Sequence, residues 1–139
     1  MDDREWWHGS REPLTDVRRF LHVGSLEQAT MRAGEGCHLV RVSLSRGRSV
    51  RRRDRGTWRT SDLTKAMHAG VALVTYLNRY EGIPLEEVEA ARAACPHLDD
   101  LPDARFRRLV PSSTDSVIVL DPSLVRIVET RSPTGRRTA

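Results

Sequence analysis

The segment Val71-Ala72-Leu73-Val74-Thr75-Tyr76-Leu77 places the strongest constraint on the fold. It is rich in β-branched and apolar residues, so it reads as a buried central strand with both faces covered. Gly70 precedes it and Asn78-Arg79-Tyr80-Glu81-Gly82 breaks it. The rest of the chain supplies short elements of both kinds. His38 to Leu44 alternates apolar and polar residues, as a half-buried strand does. Residues 4–9 read as a short strand. Ser116 to Leu120 and Leu124 to Glu129, separated by Asp121-Pro122-Ser123, read as a hairpin-like antiparallel pair.

Helices are expected between these strands. Thr15 or Asp16 could cap a short one through Leu21. Ser25 caps Leu26 to Ala33, with Glu27 in the first turn and Gly34 past the end. Thr60-Ser61-Asp62 opens a helix that runs to about Ala69. Pro84 opens another from Leu85 to Ala94, with Glu86 and Glu87 at the positive end of its dipole. A shorter one lies around Pro102 to Leu109. The mixture predicts an α+β fold and not a wound βαβ sheet.

With 139 residues, the chain has the size of one domain with a core of its own. Residues 1–130 form that domain, and 131–139, rich in Ser, Pro, Thr, Gly and Arg, read as a disordered basic tail. No apolar run reaches the length of a membrane span, so no membrane partner is expected. Met1-Asp2-Asp3-Arg4 lacks the layout of a signal peptide. Cys37 and Cys95 match no CxxC pattern, so neither a disulfide framework nor a metal site is expected. A reducing, cytoplasmic home follows as the expectation.

The net charge of +4 is carried almost wholly by arginine, and Lys65 is the only lysine. Such a bias is what a GC-rich genome would also produce, so it permits anionic ligands without proving them. Its densest part is Ser45 to Trp58, where Arg51, Arg52 and Arg53 stand together. That run reads either as a phosphate-facing, nucleic-acid-binding patch or as a solvated loop or hairpin edge. No GxGxxG, GxxxxGK[ST] or HExxH occurs, which argues against Rossmann, P-loop and zincin sites.

Trp6-Trp7-His8-Gly9-Ser10 holds the other concentration of chemistry. An aromatic wall, a polar clamp and a glycine with an open backbone suit a small planar ligand. The same residues also read as a core strand and the turn after it. Leu21-His22-Val23-Gly24-Ser25 repeats the flavour of this motif, and His22 is either a second site residue or a satisfied structural histidine.

Four segments together resemble the small, PARP-like ADP-ribosyltransferase domains of bacteria, their toxins and their phages. Trp7-His8-Gly9-Ser10 resembles the aromatic-His-Gly-Ser/Thr motif of that family. Leu21-His22-Val23-Gly24-Ser25, with Glu27-Gln28-Ala29 after it, resembles a second segment found in a subset. Gly70 to Gly82 resembles the third, and Asp115 to Ile127 resembles the closing one. They occur in the family's order from residue 6 to residue 127.

The resemblance implies a split β-sandwich of two small sheets with peripheral helices, binding NAD as co-substrate in the cleft between the sheets. It implies that His8 hydrogen-bonds the ribose and the nicotinamide amide, that the Gly9 backbone grips the carboxamide, and that Ser10 supports the turn. It further implies a mono-ADP-ribosyltransferase acting on a macromolecular acceptor, protein or nucleic acid, with an antitoxin or host target protein as a possible partner. A toxin or phage-effector role fits that picture.

Two positions depart from the family. Its catalytic Glu lies just before the closing strand, where this chain has Asp115-Ser116. Glu81, at the end of the central strand beside Gly82, takes precedence over Asp115 as the acid that stabilises the developing oxocarbenium ion. His22-Val23 stands where a stacking aromatic is expected, leaving Tyr76 or Tyr80 to supply the stack. The residues from Gly82 to Ser113 read as an insertion, either a lid or a recognition element. The alternatives are a degenerate module that holds NAD, ADP-ribose or a partner without chemistry, and an arginine-patch nucleic-acid-binding protein.

Overall fold

A computed structural model describes residues 4–14 and 16–133, and the backbone of Arg137 and Thr138. The chain is α+β, with four α-helices and two sheets among these residues. The first sheet has the order β1-β3-β7-β8, formed by β1 (Trp6–Ser10), β3 (His38–Leu44), β7 (Val125–Arg131) and β8 (Arg137–Thr138). The second has the order β2-β6-β5-β4, formed by β2 (Leu21–Val23), β6 (Asp115–Val119), β5 (Leu73–Leu77) and β4 (Ser49–Arg51). All pairings are antiparallel except β4 with β5.

The central strand is β5, buried along most of its length and flanked by β6 and β4. Strand alternation sends its residues to two different cores. Leu73 joins Trp6, Val23, Val40, Val42, Val117 and Val119 in the core between the sheets. Val74 and Tyr76 point the other way, joining Leu63, Val71, Ile118 and Leu120. Helix α2 (Thr60–His68) covers that outer face through Leu63 and the partly buried Ala66 and Met67. It also makes the parallel crossover from β4 to β5, the one wound unit in an otherwise antiparallel arrangement.

Helix α1 (Leu26–Ala33) lies against β1. Ser25 and Gln28 close a reciprocal capping box: Ser25 Oγ accepts from the Gln28 amide at 3.1 Å, and Gln28 Oε1 accepts from the Ser25 amide at 2.9 Å. The approach to β1 requires Gly9, since a Cβ there would stand 2.3 Å from the Ala29 carbonyl oxygen and 2.9 Å from the Ala33 Cβ.

Several expectations are corrected. No helix forms over residues 16–21: Phe20 takes φ 64°, and Leu21 already begins β2 against Val119. Thr15, the other proposed cap, lies outside the described residues. The closing strands are not a hairpin. A 3₁₀ turn at Pro122–Leu124, capped by Asp121 Oδ1 accepting from the Ser123 amide at 3.0 Å, carries the chain from one sheet to the other. Thus β6 pairs with β2 and β5, while β7 pairs with β3. Within the segment expected as a tail, β7 runs through Arg131 and Arg137–Thr138 pairs with its end, while residues 134–136 and Ala139 lie outside the described residues.

The stretch from Gly82 to Ser113 holds α3 (Leu85–Ala94), a 3₁₀ turn at Leu98–Asp100 and α4 (Asp103–Leu109). It carries its own apolar cluster of Ile83, Ala91, Leu98, Phe106 and Val110, closed on the end of β5 through Leu77. Arg79 anchors it: its guanidinium donates to Asp103 Oδ1 at 2.8 Å and to the Leu101 carbonyl at 2.7 Å, over the Phe106 ring. This segment is packed into the fold.

Candidate functional site

Among the described residues, one isolated bridge, between Trp7 and Gly24, joins the two sheets. The Trp7 amide donates to the Gly24 carbonyl at 2.7 Å, and the Gly24 amide donates to the Trp7 carbonyl at 2.9 Å. Beyond it β1 and β2 part. The period of an antiparallel ladder directs the Gly9 N–H and C=O to the same edge as those of Trp7, into the gap where the strands diverge. Around that gap gather Trp7, Gly9, His22, Gln28, Arg32, Tyr76, Glu81 and Ser116, lining a recess with room of about 10 Å³. It opens into a groove of about 410 Å³ lined by His22, Arg32, Asp54, Trp58, Tyr76, Asn78, Tyr80 and Glu81.

The recess is narrow because Gln28 fills its base. Its amide nitrogen donates to the Thr114 carbonyl at 3.1 Å and to Thr114 Oγ1 at 2.9 Å, and its Oε1 accepts from Ser116 Oγ at 2.7 Å. Gly24 and Gly82 give it space: a Cβ on Gly24 would lie 2.0 Å from Gln28 Oε1, and one on Gly82 would lie 2.6 Å from Gln28 Cγ. Asn78 continues the network, donating to Ser116 Oγ at 3.1 Å and to Glu81 Oε1 at 3.0 Å. Asn78 Oδ1 also accepts from the Tyr80 and Glu81 amides, which shapes the turn after β5 and aims Glu81 into the groove. Arg32 approaches Glu81 at 3.6 Å from α1, and the Glu81 side chain keeps 24% of its surface exposed.

Burial disfavours the charged form of both His8 and His22. His8 is half-buried, and its Nδ1 lies 2.7 Å from the His22 carbonyl oxygen. Its Nδ1–H donates there, which leaves Nε2 as an acceptor. Burial lowers the His8 pKa; the bond to the carbonyl opposes that shift, and nearby Arg32 adds to it. Burial pushes His22 down to about 3, with Arg32 and His8 adding smaller effects. His22 Nδ1 lies 3.2 Å from the Tyr76 hydroxyl. Burial in turn raises Tyr76 to about 12, so the phenol keeps its proton. Trp58 lies against Tyr76 with ring centroids 4.7 Å apart.

The structure therefore brings Gly9, His22, Tyr76, Tyr80 and Glu81 to one opening. His8 stands beside it, on the opposite face of β1 from Gly9, tied to the His22 carbonyl. Ser10 ends β1 opposite His38, and its hydroxyl donates to the Glu12 carbonyl in the turn that follows. Asp115 lies elsewhere and is bound by Arg51 through two hydrogen bonds of 3.0 Å. The arginine run divides. Arg51 is spent on Asp115 and Asp103, while Arg52 and Arg53 face a separate groove beside α2.

Sequence reasoning missed Gln28, Arg32, Asn78 and Asp54 as parts of the site. Asp54 is 5% exposed and accepts from the Gly56 and Arg79 amides at 2.9 and 3.1 Å, holding the loop that carries Trp58. An acid within a run of arginines was the one available signal for it. Among the described residues no group of three or more His, Cys, Asp or Glu is arranged to hold a metal, and no helix is long and apolar enough to cross a membrane. In comparisons with known proteins, the chain matches no family model, no curated protein and no solved structure.

Proposed function

We propose that this chain is an NAD-dependent mono-ADP-ribosyltransferase that moves ADP-ribose to a macromolecular acceptor in the cytoplasm. The observation that carries the reading is Glu81: a partly exposed carboxylate, aimed into a groove by Asn78, where the edges of two small sheets part. The resemblance of the four sequence segments supports it. Cleavage of the nicotinamide–ribose bond sends the electron pair out with nicotinamide and leaves positive charge on the ribose. A fixed anion beside that carbon stabilises the transition state more than the ground state. Glu81 supplies the anion, and Arg32, 3.6 Å away, helps to orient it. The His8 Nε2 accepts from a ribose hydroxyl. Gly9 offers its edge N–H and C=O to the carboxamide, and Tyr76 with Trp58 offers an aromatic wall. The two thiols, Cys37 and Cys95, are free, in keeping with a reducing compartment.

The groove has room for a ribose and part of a nucleotide, whereas the recess against Gly9, with Gln28 filling its base, is closed to an aromatic ring. That closure favours a second reading, a module that holds ADP-ribose or a partner without chemistry. One experiment separates the two. Incubation with NAD labelled on the adenylate, in a cell lysate, labels a macromolecule if transfer occurs. Glu81→Gln lowers nicotinamide release at least 100-fold while NAD affinity, read by calorimetry, stays within a few-fold. Unchanged release in that variant removes Glu81 from the chemistry, and NAD binding without any release in the wild type establishes the second reading.

A further inference from the structure

On the outer face of the second sheet, past Trp58, runs a groove of about 810 Å³ that the proposed reaction does not use. Its floor is apolar, made by Val50 and Val74 of the sheet, Val71, and Leu63 and Ala66 of α2. Its walls carry Arg48, Arg52, Arg53, Arg55, Arg59 and Lys65 against one carboxylate, Asp62. None of these six cations forms an ion pair with a described carboxylate. Arg48 donates to the Ala69 carbonyl, Arg52 to the Arg51 carbonyl and Arg53 to the Asp99 carbonyl. Arg51, one residue along the same strand but on its other side, is doubly paired with Asp103 and Asp115.

This contrast is informative. Six like charges around one small groove repel one another, so the groove is stabilised by a ligand that brings several negative charges along a line. An apolar floor with an aromatic at one end adds a need for flat, apolar faces. A chain of phosphates with unpaired bases meets both requirements. A duplex hides its bases, and a free nucleotide carries too few charges to answer six cations. We infer that the groove between α2 and β4 binds single-stranded nucleic acid, with phosphates on the arginine walls and a base against Trp58. This inference stands independently of the NAD reading, because none of its walls belongs to the Glu81 site and only Trp58 borders both.

The test uses the full chain and fluorescein-labelled dT20 and U20, followed by anisotropy across a salt series. Binding is expected, with log K falling against log salt at a slope of roughly −2 to −3, as for about three to four phosphates on a single strand. The double variant Arg52→Glu/Arg55→Glu, checked by circular dichroism for an unchanged fold, is expected to weaken binding at least about tenfold. Trp58→Phe keeps the ring and binding, whereas Trp58→Ala loses roughly tenfold. Arg51→Ala stays within about twofold, because Arg51 faces away. Four results would each overturn the assignment: no binding, a duplex of the same length preferred over the single strand, polyphosphate or mononucleotide competing as well as the oligonucleotide per phosphate, or full affinity in the folded Arg52→Glu/Arg55→Glu protein.

Discussion

One face of one sheet carries two regions of opposite character, and Trp58, packed at a tilt against Tyr76, divides them. On one side Gln28, Ser116, Asn78 and Glu81 are linked by side-chain hydrogen bonds, His22 lies against the Tyr76 hydroxyl, and the His22 and Tyr76 rings are held neutral by burial. On the other, six cations stand without a carboxylate partner over an apolar floor. The same sheet supports both because its outward residues change from polar at His22 and Ser116 to apolar at Val74 and Val50, leaving α2 to cover one end alone. The first region is organised before any ligand arrives. The second is organised by charge that a ligand must answer. A pre-ordered polar network suits chemistry at a fixed point, and an unsatisfied electrostatic surface suits capture.

The comparison breaks most visibly at Gln28. Replacing Gln28 with Ala removes half of the capping box, takes away the acceptor of the Ser116 hydroxyl and deletes both bonds to Thr114, leaving Asn78 to donate to Ser116 Oγ and to the Thr114 carbonyl. A loss of about 3 kcal/mol in urea unfolding is expected. A loss below about 1 kcal/mol would mean that the network is not what holds this region together.

Acid probes the same region more gently. His22 titrates near 3 in the folded chain and near 6.5 when unfolded, so only the unfolded state takes up its proton as the pH falls below 6.5. Stability is unaffected by His22 above that value and declines below it, by about 1–2 kcal/mol at pH 5, and the lowered pKa of His8 adds in the same direction. His22→Gln should flatten the pH dependence of the melting temperature between pH 7 and 5; an equally steep profile in the variant would assign the acid sensitivity elsewhere.

The smallest effect belongs to the cationic region. Raising salt from 50 to 500 mM screens the mutual repulsion and should raise the melting temperature by roughly 1–3 °C. Neutralising Arg52 and Arg55 to Gln should give a similar rise at low salt and remove the response to added salt. A melting temperature that drops in the variant would show these arginines to be structurally engaged.

The sequence was most legible where one element answers to its own pattern. The run from Val71 to Leu77, the alternation of His38 to Leu44, the Ser25 cap and the Pro84 start were all visible, because propensity and periodicity act over a few residues. The closing strands defeated that reasoning. Both β6 and β7 follow strand patterns, and only the 3₁₀ turn between them decides that they enter different sheets. The expected helix over residues 16–21 failed because Leu21 to Val23 was claimed by β6, a tertiary pairing that overrides a weak cap signal. The site divides in the same way. Glu81 was legible as an acid at a strand end beside a glycine. Gln28 and Arg32, one turn apart on α1, and Asp54, in the loop after β4, reach the opening from two other places in the chain, and nothing in their local sequence says where they converge. The arginine run was visible, but its division into paired Arg51 and unpaired Arg52 and Arg53 depends on β4 lying parallel to β5.

The Trp7–Gly24 bridge has a mechanical consequence. The two layers are fastened along their backbones at that point by two hydrogen bonds, so any widening of the sandwich at the opening must first break them. The amide protons of Trp7 and Gly24 are then gauges of aperture: their deuterium uptake reports how often the layers swing apart, and a ligand that wedges between the strand edges would speed it while one that clamps them would slow it.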